Sequence, residues 1–542
     1  MLSLKLRDSK ASDASPSVSL ERGTYRMRAP RSMKPVAPLD FHKAAKRSRP
    51  TNHQQDLLNR NFSILLTVLA FACIGCFATA YYLFSTRWAL DSWRDPSTLA
   101  NGTLPARAPS DLADTADGLS NVLPMAMDRL LTYLPHSGFH NQRIAFENAV
   151  VLAQLLNRTL LAPPIHLATK ATRFMQYDSL FQTLALSGRE GLHHCASIPH
   201  YIFTPLECLH YSDSTTLPWT ALFDLSTVHA TQPVIYLQDL SQIARIHSYF
   251  SQDAIVVVAD ENPYQYRFRD AGDITSHRAS KFERDILLSE LRESTSPLLQ
   301  LGSLFGSHRL LLNSSSAQIQ RNIQSSMVLR HRALTRAAAL VKKEMSEIYL
   351  GAHIRIGDGD FYANRQKTIS RIWCTLLQSV GLEQDDIVKT TLHHDLKFSF
   401  GNDTSPCQGT RQKGSLPNEL RQWTPSSSPA RCRRPQIPLS GSAFSVGVPL
   451  FISTDVENPR THPLLAPILT TFPCTFFLSD FDRETAELAD LQNPVDGIRL
   501  GDFFMPFLDA MVVANAALVV GTEGSTFSKY IVTTLWPSYH DT

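Results

Sequence analysis

Residues 129–164, "RLLTYLPHSGFHNQRIAFENAVVLAQLLNRTLLAPP", restrict the fold more than any other stretch of the chain. An apolar run at 129–134 enters a Pro/Gly turn, apolar residues then recur at helical spacing over 144–156, and "RTLLAPP" returns as an extended run stopped by prolines. Strand, turn, helix and strand within about 35 residues make a βαβ unit, which requires a parallel sheet and a right-handed crossover.

The same rhythm continues. "PVIYL" (233–237) and "AIVVVA" (254–259) are further strands, and a long helix is expected over 316–346, with Ile319, Ile323 and Met327 on one stripe. A second set follows: "IYLGAHIRI" (348–356), "PLFISTD" (449–455), "TFFLSD" (475–480) and "ALVVGTE" (517–523). A chain of 542 residues exceeds one ordinary core. Two α/β sets therefore predict two Rossmann-like domains facing a cleft, over 119–345 and 346–542, with ligands outside the carboxyl ends of the strands. Residues 393–442, dense in Ser, Pro, Gln and Arg, interrupt the second set as an insertion.

The first 118 residues follow other rules. Residues 1–60 hold 13 Lys or Arg against 5 Asp or Glu and read as a disordered basic tail. The next segment, 61–84, contains the uncharged 23-residue run "FSILLTVLAFACIGCFATAYYLF", long enough to cross a bilayer as one helix. With the basic flank before it, the expected layout is single-pass type II, the tail cytoplasmic and the remainder lumenal in the Golgi or endoplasmic reticulum. Residues 85–118 read as a stem. Sequons at Asn101, Asn157, Asn313 and Asn402, and six cysteines outside the apolar run, suit that compartment. Six cysteines allow 15 connectivities, among which the sequence does not choose; Cys195 with Cys208 is the favoured local pair, and Cys407 with Cys432 would close a loop. With 43% hydrophobic residues, 19% charged and a net charge of +3, the composition gives no indication of a nucleic-acid partner.

Two stretches carry chemistry. In "GAHIRIGDGDF" (351–361), Asp358 and Asp360 have the Asp-x-Asp spacing of a divalent-cation site, but no converging oxygen ligands accompany them. Arg355 stands where a parallel strand gives way to its loop. A guanidinium there could bind phosphate through two parallel hydrogen bonds and neutralise a leaving pyrophosphate without a metal; it could equally pair with a structural carboxylate. In "GTEGSTFSKYI" (521–531), two glycines and the hydroxyls of Ser525, Thr526 and Ser528 open a helix, making either an anion site or a plain capped turn.

Four motifs, "GFHNQRIAFENAVVLAQLLNRTLLAPP", "LGAHIRIGDGDF", "FISTDVENP" and "LDAMVVANAALVVGTEGSTFSKYI", taken in order, resemble the GDP-fucose protein O-fucosyltransferase superfamily. That resemblance implies a GT-B-like fold, GDP-fucose as donor, a protein or glycan hydroxyl as acceptor, inversion at the anomeric carbon, and no required cofactor or metal. It places Arg355 on the donor pyrophosphate, His353 beside the nucleotide, Ser525, Thr526 and Phe527 on the phosphates, and Asp509 on the guanine, whose N–H donors a carboxylate accepts. The first turn, with Gly138, Phe139, His140, Asn141 and Arg143, would line the cleft, Asn141 as its polar contact. No residue of this chain is assigned as general base, with His140 one candidate, and the same fold with another nucleotide sugar or an inactive binding protein are the alternatives.

Overall fold

The computed structural model describes residues 18–20, 23–25, 69, 71–77, 129–199, 201–270, 281–306, 308–382, 432 and 447–540. Most of 1–118 and of the 393–442 insertion, with Cys407, Asn101 and Asn402, lies outside them. By packing, the described residues up to Tyr25 and from Arg129 onward belong to one compact unit, and those of the apolar run to another. Within the basic tail, Val18–Leu20 and Gly23–Tyr25 pair antiparallel. In the apolar run, residues 71–77 are helical with Phe71, Ile74 and Phe77 exposed, and no described helix is long and apolar enough to cross a membrane.

The βαβ unit forms as its pattern requires. Strand β1 (Leu130–Tyr133) is fully buried, helix α1 (Phe139–Leu156) crosses over, and β2 (Thr159–Ala162) pairs parallel to β1. β3 (Val234–Tyr236), β4 (Ile255–Val258) and β5 (Leu298–Leu301) complete an all-parallel sheet in the order β3-β2-β1-β5-β4. The crossover helix begins at Phe139 rather than at 144, because Ser137 turns the chain at φ 69° and Gly138 caps the helix directly. His140, Asn141 and Arg143 therefore ride on the first turns of a helix. The interior strand β5 was missed by pattern: its apolar run is four residues long with Gln300 inside it, satisfied by His247 and the Leu301 carbonyl.

The helix expected over 316–346 is two helices, α2 (Ser314–Ser326) and α3 (Arg332–Met345). The break has a cause. Leu329 bridges antiparallel to Phe223 and Arg330 N–H donates to the Leu222 carbonyl at 2.8 Å, so 327–331 is pulled out of the helical path, while the stripe residues Ile323 and Met327 stay buried. Asn313, whose side chain accepts from Ser316 N–H at 2.9 Å, caps α2.

The second sheet follows the second set of motifs: β6 (Leu350–Ile354), β7 (Leu450–Thr454), β8 (Thr475–Phe476) and β9 (Leu518–Gly521), all parallel in the order β8-β7-β6-β9. "TFFLSD" is a strand for two residues only, since Asp480 accepts from Phe477 N–H at 2.8 Å and winds 478–480 into a 3-10 turn. Helix α4 (Gly501–Ala514), apolar over most of its surface, packs on β6, β7 and α3. It approaches β6 so closely that a Cβ on Gly351 would lie 2.6 Å from the Val513 carbonyl oxygen.

The Cys195–Cys208 disulfide is present, whereas Cys432 pairs with Cys474, not Cys407. Cys474 directly precedes β8, and its Cα lies 5.3 Å from that of Cys432, so the bridge ties the end of the insertion to the sheet edge. Because the space at Gly351 is filled by backbone, Gly351→Ala should lower the unfolding free energy by about 1–3 kcal/mol. An unchanged denaturant midpoint would show that α4 can retreat from β6.

Candidate functional site at the carboxyl ends of the second sheet

Parallel register brings the second sheet's strand ends together: His353 of β6 lies level with Ser453 of β7 and with Gly521 of β9. Thr522, the first residue past the edge strand β9, locks it to its neighbour β6. Its Oγ1 donates to the His353 carbonyl (3.1 Å) and accepts from Arg355 N–H (2.9 Å), and its own N–H donates to Ser528 Oγ (3.0 Å). Ser528 Oγ in turn lies 2.6 Å from His353 Nδ1. This close return needs Gly521, where a Cβ would stand 2.7 Å from that of Ser528. Asp455, just past β7, accepts from Ile356 N–H (2.9 Å) and Gly357 N–H (3.0 Å) and so fixes the loop that carries Arg355.

The residues singled out by sequence fall as follows. Arg355 is partly exposed; its guanidinium donates to both carboxylate oxygens of Asp358 (3.2 and 3.0 Å) and stacks 4.7 Å over the Phe361 ring. Asp358 therefore serves as the partner of Arg355. Among the described residues neither Asp358 nor Asp360 belongs to a group of converging ligating side chains; His194, Cys195 and Cys208 do, with both sulfurs in a disulfide.

His353 is buried, and burial followed by the nearby Arg355 lowers its imidazolium to about 3, so the ring is neutral at physiological pH. Ser525 caps the next helix, α5 (Thr526–Tyr530), its hydroxyl accepting from Ser528 N–H at 3.3 Å. Thr526 reaches across to the first turn and donates to Asn141 Oδ1 at 3.4 Å. Phe527 packs between His353 (ring centroids 4.5 Å apart) and His140 (4.2 Å, stacked).

The first turn of α1 thus meets the late motif. The His140 Nδ1 is buried with no hydrogen-bond partner among the described residues, and burial, with Arg143, His353 and Arg355 behind it, pushes its pKa well below the ordinary value. Arg143 is ion-paired with Glu147 and lies 4.4 Å over the Tyr530 ring. Phe139 faces inward, edge-on to Phe507 at 4.5 Å and stacked with Phe223 at 6.2 Å, which makes it a packing residue, and Gly138 is the exposed helix cap. Behind the late loop a cavity of ≈ 640 Å³ is bordered by Arg143, Glu147, Gln324, Gly524, Ser525 and Lys529.

Asp509 sits on α4 against the end of β7. Burial raises its carboxyl to about 7, opposed by a hydrogen bond from the Ser453 side chain, and its Oδ1 has no partner among the described residues. A carboxylate oxygen lacking a donor, next to Ser453 at the end of β7, is the feature a base with N–H donors would satisfy.

Sequence reasoning overlooked Asp455 and Thr522 as site builders, although both stand inside quoted motifs. An Asp or Thr directly after a strand, next to a neighbouring strand that ends in Gly or Arg, is the signal that would have found them.

The fold and site define an α/β protein whose two largest sheets are parallel throughout, with a polar site at the carboxyl ends of one of them that a helix from the other's βαβ unit completes. No family model matches the chain. Over 37 residues the chain is 57% identical to O-fucosyltransferase 30 of Arabidopsis thaliana, a match that spans 7% of this chain and 7% of that relative's length. Solved structures of POFUT1 in complex with GDP and with GDP-fucose align at 12% and 11% identity over 75% of this chain and 94% and 93% of theirs, with a TM-score of 0.31 in each case. The resemblance drawn from four motifs is thus met by a short, highly identical match to an O-fucosyltransferase.

Because the Asp509 carboxyl is raised in the folded state, the native protein holds a proton that the unfolded chain releases near its ordinary value of about 4. Its contribution to stability is complete below that value and is lost as pH climbs through about 7. Asp509→Asn should remove this decline. Denaturant titrations between about pH 5 and about pH 8 would then show a flatter profile for the variant and an advantage over wild type at the alkaline end, and parallel profiles would contradict the assignment.

Proposed function

We propose that this protein is a glycosyltransferase moving fucose from GDP-fucose to a hydroxyl of a protein or glycan acceptor, with inversion and without a metal, on a GT-B-like pair of Rossmann-like domains, 119–345 and 346–542. The observation that carries this reading is the meeting of Arg355, His353 and the Ser525–Phe527 turn at one end of the second sheet, with Asn141 and His140 brought onto that turn by α1. The short match to an O-fucosyltransferase supports it.

Each residue has a task its chemistry suits. The Arg355 guanidinium, now held by a carboxylate that is itself largely exposed, exchanges Asp358 for the donor's diphosphate and stabilises the charge that grows there as the sugar departs. Neutral His353 contacts the nucleotide as a hydrogen-bonding ring rather than as a cation. Asp509, with an acceptor oxygen to spare, takes the guanine N–H donors, and ionised or shared with such donors it is better satisfied than buried alone. Backbone and hydroxyls at Ser525 and Thr526 take phosphate oxygens.

Arg355→Ala should lower transfer by about 100-fold or more while leaving the melting temperature near wild type, since its ion pair is exposed. Near-normal turnover by that variant would refute the pyrophosphate role. In thermal-shift measurements GDP should stabilise the protein more than UDP or ADP. A preference for UDP would point to another nucleotide sugar, and GDP binding without any donor turnover to a binding protein.

Membrane anchoring through 61–84, with the catalytic part lumenal in the Golgi or endoplasmic reticulum, belongs to the same proposal and rests on the uncharged run and its basic flank. The contact between Gly23–Tyr25 and helix Gly359–Ala363 speaks the other way, because a type II layout puts a bilayer between them. Glycosylation at Asn157, which is exposed at the end of α1, together with protease access to an N-terminal tag on sealed microsomes, decides it. The proposal predicts a glycosidase-sensitive mass shift and a cleavable tag; a protected tag contradicts it.

A further inference from the structure

This inference deepens the transfer reading above and rests on it. The first sheet also ends in a polar cluster: His136 follows β1, Asp260 follows β4 and Ser303 follows β5, three strands adjacent in the sheet. His136 is buried between two hydroxyls, its Nε2 2.6 Å from Ser303 Oγ and its Nδ1 2.6 Å from Ser137 Oγ. Phe174 and Phe305 flank the ring edge-on, at 5.6 and 6.1 Å. Ser303 is itself fixed, its N–H donating to the Asp260 carboxylate (3.2 and 3.3 Å) and its Oγ accepting from Phe305 N–H (3.3 Å). The imidazole is held from both sides.

Burial, with Arg309 behind it, lowers His136 to about 4, so the ring is neutral and carries a single N–H. That leaves two arrangements. If Ser303 donates to Nε2, then Nδ1–H donates to Ser137, whose own proton points elsewhere. If Nε2–H donates to Ser303, then Ser137 donates to Nδ1 and its oxygen is left free to accept. His136 therefore sets which way the Ser137 hydroxyl faces.

Ser137 stands in the left-handed region, φ 69°, where glycine is the low-cost residue. It is held there by three hydrogen bonds: its N–H to the Thr172 carbonyl (2.6 Å), its carbonyl from Gln142 Nε2 (2.9 Å), and its hydroxyl with His136. A serine kept where glycine fits better indicates that the hydroxyl is used. It is half-buried beside the exposed Gly138 and one helical turn ahead of Asn141, which reaches Thr526 of the late motif.

We propose that Ser137 accepts a hydrogen bond from the acceptor's hydroxyl, or from water when no acceptor is present, and so holds the attacking oxygen, with His136 as the residue that orients Ser137. Misplacing a reacting oxygen by about 1 Å costs on the order of 100-fold in rate.

The test measures GDP release from GDP-fucose, with water as acceptor and with a Ser/Thr peptide added, alongside GDP-induced thermal shifts. Ser137→Gly keeps the backbone conformation and should slow GDP release about 10- to 100-fold while the GDP shift and the melting temperature stay at wild type. At position 136 the two amides separate orientation from packing. His136→Asn can keep the bond to Ser137 and lose the one to Ser303, and His136→Gln does the reverse. Asn should restore most of the rate that Gln loses, although both remove one buried hydrogen bond. Wild-type release by Ser137→Gly, or equal rates for the two amides, overturns this inference and leaves the transfer reading standing. No GDP shift and no release by the wild-type protein overturns both.

Discussion

The buried hydrogen bonds that join His353, Thr522 and Ser528 hold the site together. Through them the ends of β6 and β9 share one network: the Thr522 hydroxyl joins a carbonyl and an N–H of β6, and Ser528 ties a side chain of β6 to the helix that follows β9. Each group is buried, and leaving one of them unpaired would cost about 1–3 kcal/mol. Arg355 emerges at the edge of that network, so its direction is set by backbone bonds, and the exposed pair with Asp358 adds little. The neutral state of His353 follows from the same burial and keeps a second cation from accumulating beside Arg355.

The site also depends on contacts that run from one sheet's elements to the other's. Asn141 and His140 belong to the crossover helix of the first βαβ unit, yet they meet Thr526 and Phe527 past the last strand of the second sheet. Arg143 extends the contact over Tyr530, whose hydroxyl donates to the Met327 carbonyl at 2.7 Å, where α2 gives way to the break before α3. A second tie lies elsewhere: Asp496 accepts from Arg189 at 3.1 Å and from the Thr215 hydroxyl at 2.7 Å, beside the Cys195–Cys208 loop.

Periodicity revealed the parallel strands and the crossover because their runs are short and apolar, in "RLLTYL", whose strand is buried on both faces, and in "AIVVVA" and "ALVVG", whose strands lie at sheet edges, the former with Val257 exposed. It failed where tertiary contacts override local preference. "LLQL" looks too short and too polar until His247 satisfies Gln300, and the helical pattern over 316–346 does not reveal that Phe223 will claim Leu329. In the site, Arg355 and the Ser-Thr-Phe turn were legible from their place after strands. The pairing of Arg355 with Asp358, the cap from Asp455 and the packing role of Phe139 were not, since each is decided by residues distant in space or by a loop's exact course. The Cys432–Cys474 bridge was misread for the same reason: nearness in sequence favoured Cys407, and the sheet edge brings up Cys474.

Hydrogen–deuterium exchange with and without GDP tests the central claim most directly. The account predicts that GDP slows exchange together in 353–357, 521–528 and 138–143, with the rest of the first sheet unchanged. Protection confined to other segments, or none at saturating GDP, would contradict it.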